Sequence, residues 1–262
     1  MSGFRDGQMK ALRAKISQME SHGRNRAGVM SLGDARLDDC FPGGGLPLGQ
    51  WHAFTGEGME AETSACPAAF AALLAAPLTR RGEAVWILRR DDLFAPGLAG
   101  LGFPADRLIQ VCARDEAEAL AVAEDALATV GISAVFIEVD AVDLVAGRRL
   151  QLACEARGST GLVIHRKPWG GASPATGTGS AAASRWRIRP APSLPPPGEF
   201  GLGPPRWQAS LDRCRGGRPG TWLFEADHAY SHEAQDGTHP LRLVAPLGAG
   251  ELVPATPFQR SA

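Results

Sequence analysis

The sequence has little lysine and no long apolar run. Only three of its 27 basic residues are lysines (Lys10, Lys15 and Lys167), and the other 24 are arginines. No apolar stretch reaches the roughly 18 to 20 residues that a membrane-spanning helix needs. The N-terminal sequence also lacks the hydrophobic core of a signal peptide. We therefore expect a cytoplasmic protein that does not span a membrane.

Paired cysteines are absent as well. The five cysteines lie far apart and none forms a C-x-x-C pair: Cys40, Cys66, Cys112, Cys154 and Cys214. In a chain of this size the spacing indicates reduced thiols, several of them packed in the core. His228 and His232 are four residues apart, but they lie in the polar run DHAYSHEAQDGTH, which we interpret as a solvated loop. We therefore expect no bound metal.

The charge is unevenly distributed along the chain, although the net charge of the 262 residues is only −1. Between Arg148 and Arg218 there are twelve Lys or Arg residues and three acids, a local charge of +9, which leaves −10 on the remainder. A segment this cationic suggests a polyanion or an acidic protein as a partner. A solvated basic face is the alternative.

Strand-like and helix-like segments alternate along most of the chain. Apolar runs predict strands at 51–55, 84–88, 106–113, 133–140 and 161–165. Helical patterns occupy 66–78, 115–130 and 146–156 between them, and Pro77 is expected to end or kink the first. This alternation predicts an α/β fold with a mostly parallel sheet flanked by helices. The strand pattern at 185–189 and a hairpin turning at 216–220 predict an antiparallel C-terminal extension.

The segment boundaries suggest three parts. Residues 1–27 form an N-terminal helix or arm, with Met9, Leu12, Ile16 and Met19 at helical spacing. Residues 28–247 form the core, in which the compositions of 166–184 and 190–205 predict mobile loops. Residues 248–262 are expected to be a loose tail.

The segment FTGEGMEAETSA (54–65) comes close to a nucleotide-binding P-loop. From Gly56 it follows a frame in which Ala61, Glu62 and Thr63 stand where a P-loop has Gly, Lys and Ser or Thr. A working P-loop places a Lys ammonium on the β and γ phosphates. Two unit charges about 4 Å apart interact by about 4 kcal/mol at an effective dielectric near 20, so Glu62 replaces one such attraction by a repulsion.

We therefore predict a degenerate nucleotide loop made of Gly56, Gly58, Ala61, Glu62 and Thr63. No ATP cofactor and no ATPase activity are expected. The strand end VFIEVD offers Glu138 and Asp140 at the place of a Walker-B acid. Structural carboxylates paired with arginines would explain these two residues equally well.

Five separated blocks of the sequence resemble the ImuA family. They are FPGGGLPLGQWHAFTGEG, LFAPGLAGLGFPADRL, GRRLQLACEA, SRWRI and PRWQASLDRCRGGRPGTWLFEAD, which occur in the family's order and extend the resemblance over about residues 8–227. Members of this family are RecA-related proteins encoded in SOS-induced mutagenesis cassettes, alongside the Y-family-like protein ImuB and an error-prone polymerase. The resemblance implies a RecA-like fold.

The resemblance also implies a function. This is a non-catalytic accessory role in SOS-induced translesion DNA synthesis, as a scaffold for ImuB and the polymerase, with contacts to RecA or single-stranded DNA. Association with the nucleoid would follow when the protein is active. Two alternatives remain: a SulA-like inhibitor of cell division that acts by protein contact, and a RecA-like ATPase with an atypical P-loop.

The basic segment contains the candidate binding residues. In RecA-like recombinases, a Gly/Thr-rich loop in the corresponding region touches single-stranded DNA, and 166–184 has a similar composition. The cations and the loop tryptophan that could contact DNA or an acidic partner are Arg166, Lys167, Trp169, Arg185, Arg187, Arg189, Arg213, Arg215 and Arg218. We interpret Trp186 and Trp207 as core residues on alternating strands.

Overall fold

A computed structural model describes residues 27–58, 63, 65–166, 181–195, 198, 200–227 and 239–247. The predicted N-terminal helix, the C-terminal tail and the histidine pair at 228 and 232 lie outside these residues. So do Ala61, Glu62, Lys167 and Trp169.

Strands and helices alternate in the first two thirds of the described chain, and strands alone follow. The strands are β1 (Val29–Met30), β2 (Leu46–Pro47), β3 (Trp51–Gly56), β4 (Glu83–Leu88), β5 (Leu108–Cys112), β6 (Ile132–Val139), β7 (Thr160–His165), β8 (Ser184–Ala191), β9 (Arg206–Cys214), β10 (Gly220–Ala226) and β11 (Leu241–Leu247). The α-helices are α1 (Ala35–Asp38), α2 (Cys66–Ala75), α3 (Ala95–Ala99), α4 (Glu116–Leu127) and α5 (Leu144–Arg157). Short 3₁₀ helices span Ala76–Arg80 and Ala105–Arg107.

Nine of these strands form one large sheet, in the order β11-β10-β9-β8-β3-β7-β6-β4-β5. The six strands from β8 to β5 in this order are parallel to their neighbours. The pairs β8–β9, β9–β10 and β10–β11 are antiparallel. The predicted parallel sheet with an antiparallel C-terminal extension is therefore confirmed.

The sheet has a hydrophobic core on each face. On the first face, α2 packs against β3, β7, β8 and β11. Phe70 of α2 lies at its centre, with ring centroids 5.8 Å from Trp186 and 5.2 Å from Phe224. On the second face, α4 packs against β4 and β6, and α5 packs against β3 and β7. Successive residues of a strand point to opposite faces, so the apolar run at 84–88 supplies both cores.

The helix ends follow from local sequence. Asp115 and Asp143 are the N-caps of α4 and α5, and their carboxylates accept hydrogen bonds from the amides of Glu118 and Ala146. Gly158 ends α5 with φ of 81°, a conformation that favours glycine. The α-helix α2 ends at Ala75, and the 3₁₀ turn that follows contains Pro77. The prediction that Pro77 ends this helix is therefore confirmed.

Several boundaries differ by one to three residues from the sequence prediction, among them those next to β8 and β5. Strand β8 extends to Ala191 and β9 begins at Arg206, so the loop between them covers 192–205 instead of 190–205. Strand β5 is shorter than its predicted window of 106–113, because a 3₁₀ turn occupies Ala105–Arg107. In the part of the chain that the structure describes, no helix is both long and apolar enough to cross a bilayer.

Candidate functional site

The segment that we predict to be a degenerate nucleotide loop begins at the C-terminal end of β3, at the centre of the large sheet. The amide of Glu57 donates to the carbonyl oxygen of Ile188 at 2.8 Å, which ties the start of the loop to β8. Thr63 is buried and lies directly against Gly56, where a Cβ would come within 2.4 Å of its hydroxyl oxygen. The structure thus brings together two residues of the P-loop frame. The prediction for Glu62 stays a prediction.

Glu138 lies at the C-terminal end of β6, where its carboxylate is almost completely buried. One carboxylate oxygen accepts from the indole Nε1 of Trp86 at 2.9 Å, and the other accepts from Nη1 of Arg166 at 2.9 Å. Burial raises the pKa of Glu138, while the positive charge of Arg166 and the two hydrogen bonds oppose that rise. A metal ion at this carboxylate would have to displace the Arg166 contact.

Arg166 also binds Asp92 through two parallel hydrogen bonds of 3.0 and 2.9 Å. These bonds lower the pKa of Asp92 and outweigh the desolvation that opposes them. The side chain of Arg166 is 15% exposed. Its predicted contact with DNA or a partner stays a prediction and would require this network to open.

Asp140, the second Walker-B-like residue, lies at the rim of the same edge. Its carboxylate pairs with Arg89 at 3.0 Å, and Arg89 also lies 3.5 Å from Glu116. Asp140 and Glu138 therefore both have arginine partners, as the structural interpretation of these two residues expected. Among the described residues, no group of three or more His, Cys, Asp or Glu side chains is arranged to hold a metal ion.

Strand β8 separates apolar residues from arginines. Trp186 and Ile188 are fully buried on the first face, beside α2. Arg185, Arg187 and Arg189 alternate with them and lie on the second face, at intervals of about 6.6 Å. We call these three residues the arginine ladder. The interpretation of Trp186 and Trp207 as core residues is confirmed, since both are buried.

Neighbouring strands give the arginine ladder polar partners. Arg187 pairs with Asp212 at 2.9 Å and lies 3.8 Å from Glu57. The guanidinium of Arg189 donates to the amide oxygen of Gln208 at 2.6 and 3.1 Å. The Arg187 contact lies at the protein surface, where a phosphate can compete for the guanidinium group, whereas the Arg189 contact is partly buried because Gln208 is buried.

A register shift in β9 adds a fourth arginine next to the ladder. Arg185 lies opposite Arg213, and Trp186 lies opposite Leu211, so Asp212 is the extra residue of a β-bulge. Both Asp212 and Arg213 are consequently exposed. Two arginines therefore lie directly opposite each other on the second face.

The last two candidate arginines hold the turn between β9 and β10 in place. Arg215 donates through Nη2 to the carbonyl of Ala181 at 2.6 Å, and Arg218 donates through Nη2 to the carbonyl of Asp39 at 3.1 Å. The nine candidates therefore divide into three groups: Arg185, Arg187, Arg189 and Arg213 on one face; Arg166, Arg215 and Arg218 with internal hydrogen bonds; and Lys167 and Trp169 outside the described residues.

Sequence reasoning missed a buried polar chain that joins β3 to β8. The indole of Trp186 donates to the Ser184 hydroxyl at 3.0 Å, and this hydroxyl lies 2.7 Å from Nδ1 of His52. The other ring nitrogen of His52 lies 2.9 Å from the carbonyl oxygen of Pro47, so it carries the proton. Burial lowers the pKa of His52 to about 4. The one signal in the sequence was the position of His52 inside the apolar run WHAF, which indicates a buried histidine that needs polar partners.

A second buried charge was also missed. Glu225 of β10 lies on the second face with 4% of its surface exposed. It pairs with Arg206 at 2.5 Å and with Arg242. The carboxylate within the apolar run TWLFEA could have revealed it, because a buried acid requires a cation nearby.

The cysteines are all free thiols and show no sign of activation. Burial raises the pKa of Cys154 to about 12 and that of Cys214 to about 11. A thiol with a raised pKa is a poor nucleophile at neutral pH. The expectation of packed, reduced thiols is confirmed for Cys40, Cys154 and Cys214, which are buried.

The chain has close relatives among characterised proteins. It is 56% identical over 247 residues to Protein ImuA of Caulobacter vibrioides (strain NA1000 / CB15N), a match that covers 92% of this chain and 99% of the relative. Protein ImuA of Caulobacter vibrioides (strain ATCC 19089 / CIP 103742 / CB 15) matches equally well. No protein-family model matches the sequence.

A solved structure confirms the predicted fold. The crystal structure of the RadB recombinase has a TM-score of 0.51 with 18% sequence identity, and the match covers 76% of this chain and 96% of that chain. This likeness shows the RecA-like fold and nothing about activity. The sequence identity to Protein ImuA over nearly the whole length of both proteins shows that the chain belongs to the ImuA family.

Proposed function

We propose that this protein is a non-catalytic accessory factor in SOS-induced, error-prone translesion DNA synthesis. In this proposal it is a scaffold for an ImuB-like Y-family protein and an error-prone polymerase, and it contacts single-stranded DNA, alone or coated with RecA. The observation that carries the proposal is the arginine ladder on β8, opposite a face on which Trp186 and Ile188 are buried.

The spacing of the ladder suits a nucleic-acid strand. Alternate residues of a strand lie about 6.6 Å apart. A stacked strand carries one phosphate per about 3.4 Å of its axis, so several phosphates fall within the length of the ladder. Arg213 adds a further cation beside Arg185.

The present partner of Arg187 can be exchanged for a phosphate at low cost. The Arg187 side chain is 44% exposed where it pairs with Asp212. Exposed ion pairs of this kind contribute only about 0 to 1 kcal/mol to stability. When a phosphate replaces Asp212 as the partner of Arg187, the protein therefore loses little of its folding free energy.

The non-catalytic part of the proposal has two supports. Glu62 stands at the position where a P-loop requires an ammonium. Both oxygens of Glu138 already accept hydrogen bonds, one from Trp86 and one from Arg166. Two internal hydrogen bonds and a paired arginine favour a structural role for this acid.

Complementation in cells that lack the gene tests the proposal. The wild-type chain is expected to restore damage-induced mutagenesis, and the double variant Arg185→Ala/Arg187→Ala is expected to fail while keeping its stability. The matched control is Arg107→Ala/Arg114→Ala, which removes two exposed, paired arginines elsewhere and should restore mutagenesis. Filamentation on overexpression, with mutation frequency unchanged by any variant, would instead indicate a SulA-like inhibitor of cell division.

A further inference from the structure

The loop between β8 and β9 displays the most exposed apolar side chains of the described residues. Phe200 and Leu202 are 103% and 95% exposed, and Leu194 is 44% exposed. The next highest value among the large apolar side chains is 76%, at Val130. An aromatic ring and a leucine fully in water two residues apart are unusual for a side-chain pair without a binding role.

The base of this loop is firmly attached to the sheet. The β8–β9 ladder continues to its last pair, Ala191 with Arg206. The amide of Ala226 donates to the carbonyl of Pro205 at 2.9 Å. Arg206 is itself held by the buried carboxylate of Glu225. The exposed side chains therefore project from a fixed base.

The loop is also closed on itself. Gly203 lies so close to the carbonyl of Leu194 that a Cβ there would be 1.9 Å from the oxygen. Gly201, between Phe200 and Leu202, has φ of 118°, which only glycine adopts readily. Four of the described residues of this loop are prolines: Pro192, Pro195, Pro204 and Pro205. Fewer free conformations mean that less entropy is lost when the loop binds a partner.

The charges of the loop favour a protein as its partner. Glu199 is the only charged residue between Pro192 and Pro205. Contacts with nucleic acids and with anionic lipid surfaces depend on Lys and Arg, and this loop has neither. Exposed aromatic and aliphatic side chains match the apolar centres of protein interfaces.

The exposed area argues against a second copy of the chain. If two such loops packed against each other, the three side chains would bury about 450 to 750 Å² per copy, at roughly 150 to 250 Å² for each large side chain. A stable interface buries about 800 Å² per partner. A convex loop of this size fits a concave pocket on a different protein, which adds the remaining contact area.

We propose that residues 200–205, which lead into β9, form a protein-docking element that inserts Phe200 and Leu202 into an apolar pocket of a different protein. These residues reach the sheet where Arg206 pairs with Ala191, two residues after Arg189, so the docked protein lies next to the arginine ladder. The docking element contains none of the ladder residues. Loss of docking and loss of DNA binding can therefore be measured separately.

Site-specific photocrosslinking in the host cells tests the docking element. The full-length chain carries the photoreactive residue p-benzoylphenylalanine in place of Phe200, and a control chain carries it in place of Phe94, which is 72% exposed. We expect one protein adduct from position 200 and none of that mass from position 94. Adding Leu202→Ser should reduce the adduct at least about tenfold, because one large apolar side chain contributes more than a tenfold step in affinity.

A binding titration follows with the purified protein that forms the adduct. Phe200→Ala/Leu202→Ala should weaken its affinity by at least about tenfold, while the Arg185→Ala/Arg187→Ala variant binds it like wild type. Unfolding of the Phe200→Ala/Leu202→Ala variant should match wild type, because both side chains are exposed.

Several results would overturn the docking element. These are an adduct with twice the mass of the chain, a nuclease-sensitive adduct, equal adducts from positions 200 and 94, or no adduct at all. Unchanged affinity of the Phe200→Ala/Leu202→Ala variant, or a clear loss of its stability, would overturn it equally.

Discussion

Two arginines of the large sheet, Arg166 and Arg187, are used in opposite ways. Arg166 follows β7 and lies between two carboxylates with 15% of its side chain exposed. Arg187 lies on β8, which pairs parallel with β3 and antiparallel with β9; its side chain is 44% exposed and lies 2.9 Å from Asp212 and 3.8 Å from Glu57. The residue type is the same, and burial decides whether the cation stabilises the fold or is available to a partner.

The physical reason is the cost of desolvation. Removing one partner of a buried ion pair leaves an uncompensated charge and costs about 3 to 5 kcal/mol. An exposed pair contributes about 0 to 1 kcal/mol, because water and salt compete with it. Substitution of the buried Arg166 should therefore lower the stability of the fold, while substitution of the exposed Arg187 should mainly affect binding.

The largest effect is expected for Arg166→Met. The change leaves Glu138 buried and unpaired, so the free energy of unfolding should fall by about 3 to 5 kcal/mol at pH 8. Without Arg166 the raised pKa of Glu138 rises further, and protonation of this acid should make the loss smaller at pH 5. Urea unfolding at both pH values measures this.

Arg89→Met is the control for Arg166→Met. Arg89 is more exposed, so its loss should lower the free energy of unfolding by about 1 kcal/mol or less. Equal losses for the two variants would contradict the comparison.

The next largest effect on stability is expected from protonation of buried histidines, one of which, His52 of β3, contacts Ser184 of the neighbouring strand β8. Burial lowers the pKa of His52 and of His239 to about 4. The unfolded chain binds a proton at each histidine near pH 6.5, while the folded chain keeps both neutral. Stability should therefore be complete above pH 6.5 and fall between pH 6.5 and pH 5 by about 2 kcal/mol per histidine.

Urea unfolding across this pH range measures the histidine effect. In His52→Gln, one of the two titrating groups is gone, so the fall between pH 6.5 and pH 5 should be about half as steep. A variant with the same slope as wild type would show that His52 is protonated in the folded protein.

A smaller effect is expected for Arg187→Ala. Because the pair with Asp212 is exposed, the free energy of unfolding should change by about 1 kcal/mol or less. The urea midpoint relative to wild type measures this. If Arg187→Ala destabilised the protein as much as Arg166→Met, the buried and the exposed arginine would contribute equally to stability, which contradicts the comparison.

The smallest effect is expected for Glu62→Ala. Neither the wild-type chain nor this variant should be stabilised against heat by Mg-ATP. A dissociation constant one hundredth of the ATP concentration would add about 2.7 kcal/mol, which a thermal shift detects readily. A saturating shift for the wild-type chain would revive the alternative of an ATPase with an atypical P-loop.

Sequence patterns predicted the elements whose residues repeat with a simple period. The alternation in SRWRIR placed Trp186 inside and the arginines outside, because side chains of a strand point to opposite faces. The sequence contained no equally clear signal for α3, which is only five residues long, or for β11.

Sequence patterns could not predict the contacts of Arg166 with Asp92 and Glu138, for a different reason. Arg166 lies 74 residues from Asp92 and 28 residues from Glu138 along the chain. The sequence offered both acids and many arginines, but only the order of the parallel strands brings these particular three together. The same holds for His52 and Ser184, which are 132 residues apart.

Titration of labelled single-stranded DNA over a salt series tests the central proposal most directly. For single strands, each neutralised phosphate contributes about −0.7 to the slope of log affinity against log salt. The three ladder arginines predict a wild-type slope of about −2 or steeper, independent of ATP. Arg185→Ala/Arg187→Ala should reduce its magnitude by about 1.4, and Arg107→Ala/Arg114→Ala should leave it unchanged. No binding at low salt, or equal slopes for wild type and the ladder variant, would contradict the proposal that the arginine ladder binds DNA.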